Sequence, residues 1–119
     1  MSWIALGALY CAVAVLAGAF GAHGLKERLQ PAALAQWETA ARYLIYGGFG
    51  LLAIGLVAKG SPGSLQGPGV SLALGTAVFA GTVFALALGG PRWLGAVTPL
   101  GGLGMIVGFA WLALAAWGA

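Results

Sequence analysis

Four apolar stretches, each long enough to cross a lipid bilayer, make up most of this chain. At a helical rise of about 1.5 Å per residue each would reach roughly 26 to 30 Å, close to the hydrocarbon core of a bilayer at about 30 Å. The segments between them are short and rich in Pro, Gly and Ser, which is typical of turns. The sequence therefore predicts an all-α integral membrane four-helix bundle, with a single transmembrane domain over residues 1–119. The expected spans are about 3–22, 39–58, 70–88 and 100–117.

The balance of apolar and charged residues supports a membrane protein. Of the 119 residues, 61% are hydrophobic and 6% are charged, far from the balance of a soluble domain. A domain of this size cannot bury so much apolar surface, so the excess faces lipid and the backbone must satisfy its own hydrogen bonds. Strict alternation of apolar and polar residues is absent, which argues against a β-barrel.

The first span does not read as a cleaved export signal. No Lys or Arg precedes it, and its apolar run exceeds the about 7 to 15 residues of a signal core. The bulky Tyr10 before Cys11 also excludes a lipoprotein signal. We expect this span to stay on the mature protein, with Cys11 as a small packing residue and without a redox or metal role.

The second helix is expected to begin near Pro31, ahead of its apolar run, because proline suits the first helical position. A helix over 31–58 would be about 42 Å long, so its first turns would project beyond the hydrocarbon core. Leu34, Trp37 and Ala41 share one side there and are expected to lie against the end of the first span. Leu25 and Leu29, four residues apart, predict a short interfacial helical segment between spans one and two.

The fourth helix is expected to start at Pro99. Proline presets the backbone angle of the first helical turn, and Thr98 before it is a suitable N-cap residue. This interpretation places the preceding loop over "GGPRWLGAVTP".

The chain contains 22 glycines, and most of them lie inside the predicted spans. No hydrophobic force draws helices together in lipid, and small residues that let backbones approach supply the packing instead. The stripes favour intramolecular packing, and dimerisation is the alternative. The predicted packing glycines are Gly7, Gly18 and Gly21 in the first span, Gly75 in the third, and Gly101, Gly104 and Gly108 in the fourth.

The basic residues carry topology information. Four spans place both termini on one side, and the loops after spans one and three share the other side with most of the positive charge. The positive-inside rule then favours termini outside the cytoplasm, in a bacterial cytoplasmic membrane. Five Lys and Arg residues spread over loops form no basic patch, so a nucleic-acid partner is not expected.

Three short motifs occur in a characteristic order: "GAFGAHGL" closes the first span, "WETAARY" opens the second, and "TPLGG" opens the fourth. This order resembles a family of small four-span membrane proteins, the YgdD/YwdK-like group, known as domain of unknown function 423 and similar to animal transmembrane protein 256. The resemblance covers almost the whole chain and implies a shared membrane fold without a known reaction. Family members often carry a histidine soon after the tyrosine of the second span, where this chain has Gly47.

A polar cluster is expected where span one ends and span two begins. One interpretation is a proton-linked or ligand-binding site, because a histidine imidazole titrates near neutral pH and Arg42 would hold an anion. The other is an interfacial arrangement, in which Glu38 and Arg42 neutralise each other, His23 caps span one and the aromatic residues form a belt. The candidate residues are His23, Glu38, Thr39, Arg42, Tyr43, Tyr46 and Thr98.

The leading functional hypothesis is a non-enzymatic bundle that associates with lipid, with itself or with another membrane protein. The alternative is a small transporter or channel with a polar site at the mouth of the bundle, although the first span carries no charge. The chain lacks Asp and has two Glu residues, so no catalytic set, metal site or cofactor is expected.

Overall fold

A computed structural model describes residues 2–59 and 65–117. Each of its four helices is long and apolar enough to cross a membrane, and the described residues contain no strand. The prediction of an all-α membrane bundle is confirmed. The helices are α1 (Trp3–Phe20), α2 (Pro31–Ala58), α3 (Gln66–Ala87) and α4 (Leu94–Trp117), and a short π-helical segment, Gly21–Leu25, follows α1 directly.

The helix starts follow from local chemistry. The Ser2 side chain accepts a hydrogen bond from the Ala5 amide at 3.1 Å and caps α1. Pro31 occupies the first turn of α2 after an extended Gln30, so the predicted start of the second helix is correct. The helical segment between spans one and two is the π-helical turn, in which Gly21 and Leu25 are buried.

The predicted start of the fourth helix is wrong. The helix begins at Leu94, and Pro99 lies inside it. Thr98 is therefore not an N-cap, and its hydroxyl lies 3.0 Å from the Leu94 carbonyl oxygen, one turn earlier. The apolar residues before Pro99 extend the helix toward the loop, although Pro99, which has no amide N–H, leaves one intrahelical hydrogen bond unmade. α3 also begins earlier than expected, at Gln66 and not at 70. Pro68 lies in its first turn, where a proline breaks no intrahelical hydrogen bond.

The helices pack in chain order. α1 packs on α2, α2 on α3, and α3 on α4, whereas α2 and α4 contact each other only sparsely. α2 and α3 are therefore central, and α1 and α4 are the outer helices. The molecule measures 48 × 27 × 21 Å, and its long axis matches a bilayer of about 40 to 45 Å including headgroups.

The core lies between α2 and α3, where Leu51, Ile54 and Leu72 are fully buried. Gly47 faces Thr76 so closely that a Cβ at position 47 would overlap the threonine side chain. Thr76 is fully buried, and its hydroxyl has no hydrogen-bond partner among the described residues.

The contact between α3 and α4 is made by glycine backbones. A Cβ on Gly75 would lie 2.5 Å from the Met105 amide nitrogen, and one on Gly108 would lie 2.9 Å from Leu72 atoms. The Ser71 hydroxyl donates to the Gly104 carbonyl oxygen at 2.9 Å. Gly101 likewise leaves no room for a Cβ beside the Phe79 backbone.

The contact between α1 and α2 uses Gly7 and Gly21 but not Gly18. A Cβ on Gly7 would lie 2.7 Å from the Gly48 carbonyl oxygen, and one on Gly21 would lie 2.7 Å from the Trp37 ring. Gly18 has no neighbour within 4 Å of such an atom, so its predicted packing role is wrong. Close contact at a small residue depends on what the neighbouring helix places opposite it, and α2 places no atom within 4 Å of a Cβ at Gly18.

Candidate functional site

Within the described residues, the charged side chains of the predicted cluster do not form hydrogen bonds or ion pairs with one another. His23, Glu38 and Arg42 are all exposed. Within the described residues, none of the side-chain hydrogen bonds involves them and none of them forms an ion pair. They lie on the faces of the π segment and α2 that point away from the neighbouring helices, where water and headgroups solvate charge. The expected hydrogen-bonded cluster is therefore not formed.

The other four candidate residues line a groove between α2 and α4, with α3 as its floor; we call it the α2–α4 groove. It contains an outer cavity of about 430 Å³ and an inner cavity of about 470 Å³. The outer cavity is lined by Ala32, Ala35, Gln36, Thr39, Val83, Leu86, Gly95 and Thr98. The inner cavity is lined by Tyr43, Tyr46, Phe79, Gly102, Met105, Ile106 and Phe109.

The two cavities are consecutive parts of one groove, because their lining residues follow one continuous face of each helix. On α2 the lining residues Gln36, Thr39, Tyr43 and Tyr46 are three, four and three positions apart, which keeps them on one face. The lining residues of α4 follow the same rule. They are Gly95, Thr98, Gly102, Ile106 and Phe109.

The inner cavity is aromatic. Tyr43 makes a T-shaped contact with Tyr46 at a centroid distance of 5.1 Å and a tilted contact with Phe79 at 4.8 Å. Gly102 adds no side chain on the α4 wall, and a Cβ there would meet only the Phe79 ring, at 3.5 Å. The cavity is therefore a slot with apolar walls that suits a hydrocarbon chain.

The outer cavity is polar on its α4 side. Thr98 Oγ1 lies 2.6 Å from Thr82 Oγ1 on α3. Each hydroxyl also lies near a carbonyl oxygen of its own helix, Leu94 for Thr98 and Val78 for Thr82, at 3.0 and 2.8 Å. This pair fixes the wall of the outer cavity where α3 and α4 meet.

The groove crosses the level at which the protein changes from polar to apolar. Arg42 is the last charged residue of α2, and the helix continues uncharged from Tyr43 to Ala58. The outer cavity lies on the headgroup side of Arg42, and the inner cavity lies on the hydrocarbon side. The predicted residues Thr39 and Thr98 line the first, and Tyr43 and Tyr46 line the second.

Sequence reasoning found four of the lining residues but missed others, among them Gln36, Phe79 and Gly95. The polar stripe that runs from Gln36 to Tyr46 on one face of α2 is the signal that points to them. Trp37 was expected to pack on the first span, and its Nε1 donates to the Ala17 carbonyl oxygen at 2.7 Å.

These features define the class of small α-helical membrane proteins with several spans. The chain belongs to the DUF423 family, described as a protein of unknown function, whose model matches residues 17–102. The matched region contains the whole lining of the outer cavity. Among the described residues, no group of three or more His, Cys, Asp or Glu side chains is placed to hold a metal ion.

Bacterial membrane proteins match this chain along nearly its full length. UPF0382 membrane protein SSP2132 of Staphylococcus saprophyticus is 45% identical over 94% of this chain and 92% of its own. UPF0382 membrane protein YwdK of Bacillus subtilis is 34% identical over 96% of this chain and 94% of its own. No solved structure matches the chain. The resemblance drawn from the sequence motifs is confirmed.

Proposed function

We propose that this protein is a non-enzymatic membrane bundle that holds a phospholipid in the α2–α4 groove. The observation that supports this function is the order of the two cavities, polar at the headgroup level and aromatic in the hydrocarbon. An amphiphile has the same order along its length. Because α2 and α4 contact each other only sparsely, the groove is accessible to a lipid from the side.

The charge around the groove favours a lipid that carries a phosphate. Arg42 is exposed and lines neither cavity, but it lies one helical turn after Thr39, so its long side chain can bind a phosphate at the edge of the groove. A guanidinium at the boundary of the hydrocarbon core is well placed to bind a phosphate with charge-assisted hydrogen bonds. Lys26, Arg28 and Arg92 are exposed near the same end and add to the positive potential.

The same charges support a location in the bacterial cytoplasmic membrane with the mouth of the groove at the cytoplasmic face. In this orientation the bound lipid comes from the cytoplasmic leaflet. Association with a second copy or with another membrane protein is the competing form of the hypothesis. A transporter or channel is less favoured, because the lining of the groove contains no carboxylate to carry a proton.

Native mass spectrometry of the protein in a mild detergent tests the proposal. The wild type is expected to retain phospholipid, whereas Gly102→Leu fills the inner cavity and is expected to lose it. A Cβ at Gly102 makes only an ordinary contact with Phe79, so the melting temperature of this variant should change little.

Gly81→Leu is the matched control, because a Cβ at Gly81 meets no atom within 4 Å and the residue does not line the groove. This variant is expected to retain lipid like the wild type. A wild type without bound lipid, or a folded Gly102→Leu protein with as much lipid as the wild type, would contradict the proposed function.

A further inference from the structure

The first turns of α4 leave a backbone acceptor in the outer cavity. In an α-helix the Gly95 carbonyl accepts a hydrogen bond from the amide of residue 99. Residue 99 is Pro, which has no N–H, and it lies inside the helix. Gly95 lines the outer cavity, and a Cβ on it would meet no atom within 4 Å. Gly95 has no side chain and is exposed, so its backbone borders the space that a bound molecule would fill.

The threonine pair adds a second acceptor. The Thr82 and Thr98 hydroxyls have two protons between them, and one proton forms the 2.6 Å bond that joins them. The other is donated to a carbonyl oxygen, either that of Leu94 by Thr98 or that of Val78 or Phe79 by Thr82. In both arrangements Thr98 keeps at least one free lone pair and has no proton left to donate.

The α4 wall of the outer cavity thus offers acceptors without donors. Arg42 lines neither cavity, and its exposed guanidinium offers donors only, from beside the groove. A headgroup that fits both places its phosphate at Arg42 and a hydrogen-bond donor farther out, at Gly95 and Thr98. This order from the hydrocarbon outward is the order of atoms in a phospholipid whose headgroup ends in an amine or a hydroxyl.

We infer that the α2–α4 groove selects phospholipids whose headgroup donates hydrogen bonds beyond the phosphate. This inference rests on the proposed lipid-binding function. Ethanolamine supplies N–H donors and glycerol supplies O–H donors, whereas the quaternary ammonium of choline supplies none. Phosphatidylethanolamine and phosphatidylcholine are both zwitterionic, so the comparison between them isolates the donor from the net charge.

Competition between lipids in detergent micelles, read by native mass spectrometry, tests the inference. We expect phosphatidylethanolamine to outcompete phosphatidylcholine of the same acyl chains by roughly fivefold to tenfold, as the loss of one or two hydrogen bonds implies. The mono- and dimethylated ethanolamine lipids retain an N–H, so the preference should fall chiefly at the third methylation. Phosphatidylglycerol should also outcompete phosphatidylcholine.

Two variants connect the preference to the two acceptors. Pro99→Ala supplies an amide that occupies the Gly95 carbonyl, and Thr98→Val removes the hydroxyl. Each is expected to reduce the preference for ethanolamine over choline by roughly twofold to fivefold, while total lipid binding persists. Thr98→Ser should restore the preference. Pro91→Ala is the control for the proline change, because Pro91 precedes α4 and does not line the groove.

The outcomes separate the two hypotheses. If the wild type binds phosphatidylethanolamine and phosphatidylcholine equally, the inference about the headgroup is wrong and the groove remains a lipid site. A preference for phosphatidylglycerol alone would show selection by charge and would also contradict the inference. If the protein binds none of the lipids, the proposed function itself fails.

Discussion

At the scale of single residues, a glycine affects packing because it has no side chain. Two glycines of the same helix can differ completely in how close the next helix lies to them. Gly75 and Gly81 both lie in α3. The first faces the α4 backbone at a distance that admits no side chain, whereas the second has no neighbour within 4 Å of an added Cβ. Close approach of backbones is the main source of helix packing in lipid, so only the first of these positions controls the fold.

We predict that Gly75→Leu destabilises the protein strongly and that Gly81→Leu does not. The leucine at position 75 would separate α3 from α4, and overpacking of this kind costs about 1 to 3 kcal/mol or more. Melting temperatures in the same detergent provide the measurement. Equal melting temperatures of the two variants would show that the α3–α4 contact is not set by its glycines.

Trp37 gives a second prediction at this scale. Its ring makes an edge contact with Phe84 at 4.6 Å, and its Nε1 donates to the Ala17 carbonyl oxygen at 2.7 Å. It therefore connects α1, α2 and α3. Trp37→Phe keeps an aromatic ring but removes the hydrogen bond, and we expect a loss of stability of about 0.6 to 2 kcal/mol. Trp117→Phe, at the exposed end of α4, is the control and should leave the melting temperature unchanged.

Residue patterns in the sequence predict the packing face of a helix but not each contact on it. The stripe of small residues in the first span indicates the face that meets α2, and Gly7 lies on it against Gly48. Gly18 belongs to the same stripe and has no neighbour, because the outcome depends on which α2 residue lies opposite. That register is a property of two helices, and the sequence of one helix does not contain it.

At the scale of elements, the helix starts that were inferred from a single proline were predicted less well than the spans themselves. Pro31 and Pro99 each follow a polar residue at the expected start of a helix, yet the first begins α2 and the second lies inside α4. The difference is the length of apolar chain before each proline, which favours continued helix only in the second case. The spans depend on some 18 residues each, so one proline does not alter them.

The packing of α1 on α2 predicts the reactivity of Cys11. A Cβ at Gly48 would lie 2.7 Å from the Cys11 sulfur, so the thiol faces the α1–α2 contact. We expect a membrane-impermeant maleimide to leave Cys11 unlabelled in intact membranes and to label it after denaturation. Ser2→Cys in a Cys11→Ser background is the control, because residue 2 is exposed. Rapid labelling of Cys11 in the native protein would mean that this face of α1 is open to water.

At the scale of the whole molecule, composition and span length predicted the bundle, but they did not predict the groove. Apolar residues that face lipid and apolar residues that line the inner cavity look the same in sequence. The groove follows from the serial packing order, in which α3 separates α2 from α4. Of the predicted site, Thr39, Tyr43, Tyr46 and Thr98 line it, and the charged residues stay on the surface because water solvates them there.

The orientation of the protein in the membrane can be predicted from its basic end. If the basic end faces the cytoplasm, Ser2→Cys should react with an impermeant maleimide in intact cells, whereas Lys26→Cys should react only after permeabilisation. Both variants are made in the Cys11→Ser background. The reverse pattern would place the groove mouth, and with it the lipid, on the outer leaflet.

The close contact of Gly47 with Thr76 has a consequence for the evolution of the family. No residue larger than glycine fits at position 47 while threonine stands opposite, so a larger residue at position 47 requires a smaller one at position 76. Relatives with a bulky side chain where this chain has Gly47 should carry Gly or Ala where it has Thr76, and an alignment of many members would reveal the pair as covarying. In this chain Gly47→Ala alone should be destabilising, and Thr76→Gly should compensate for it.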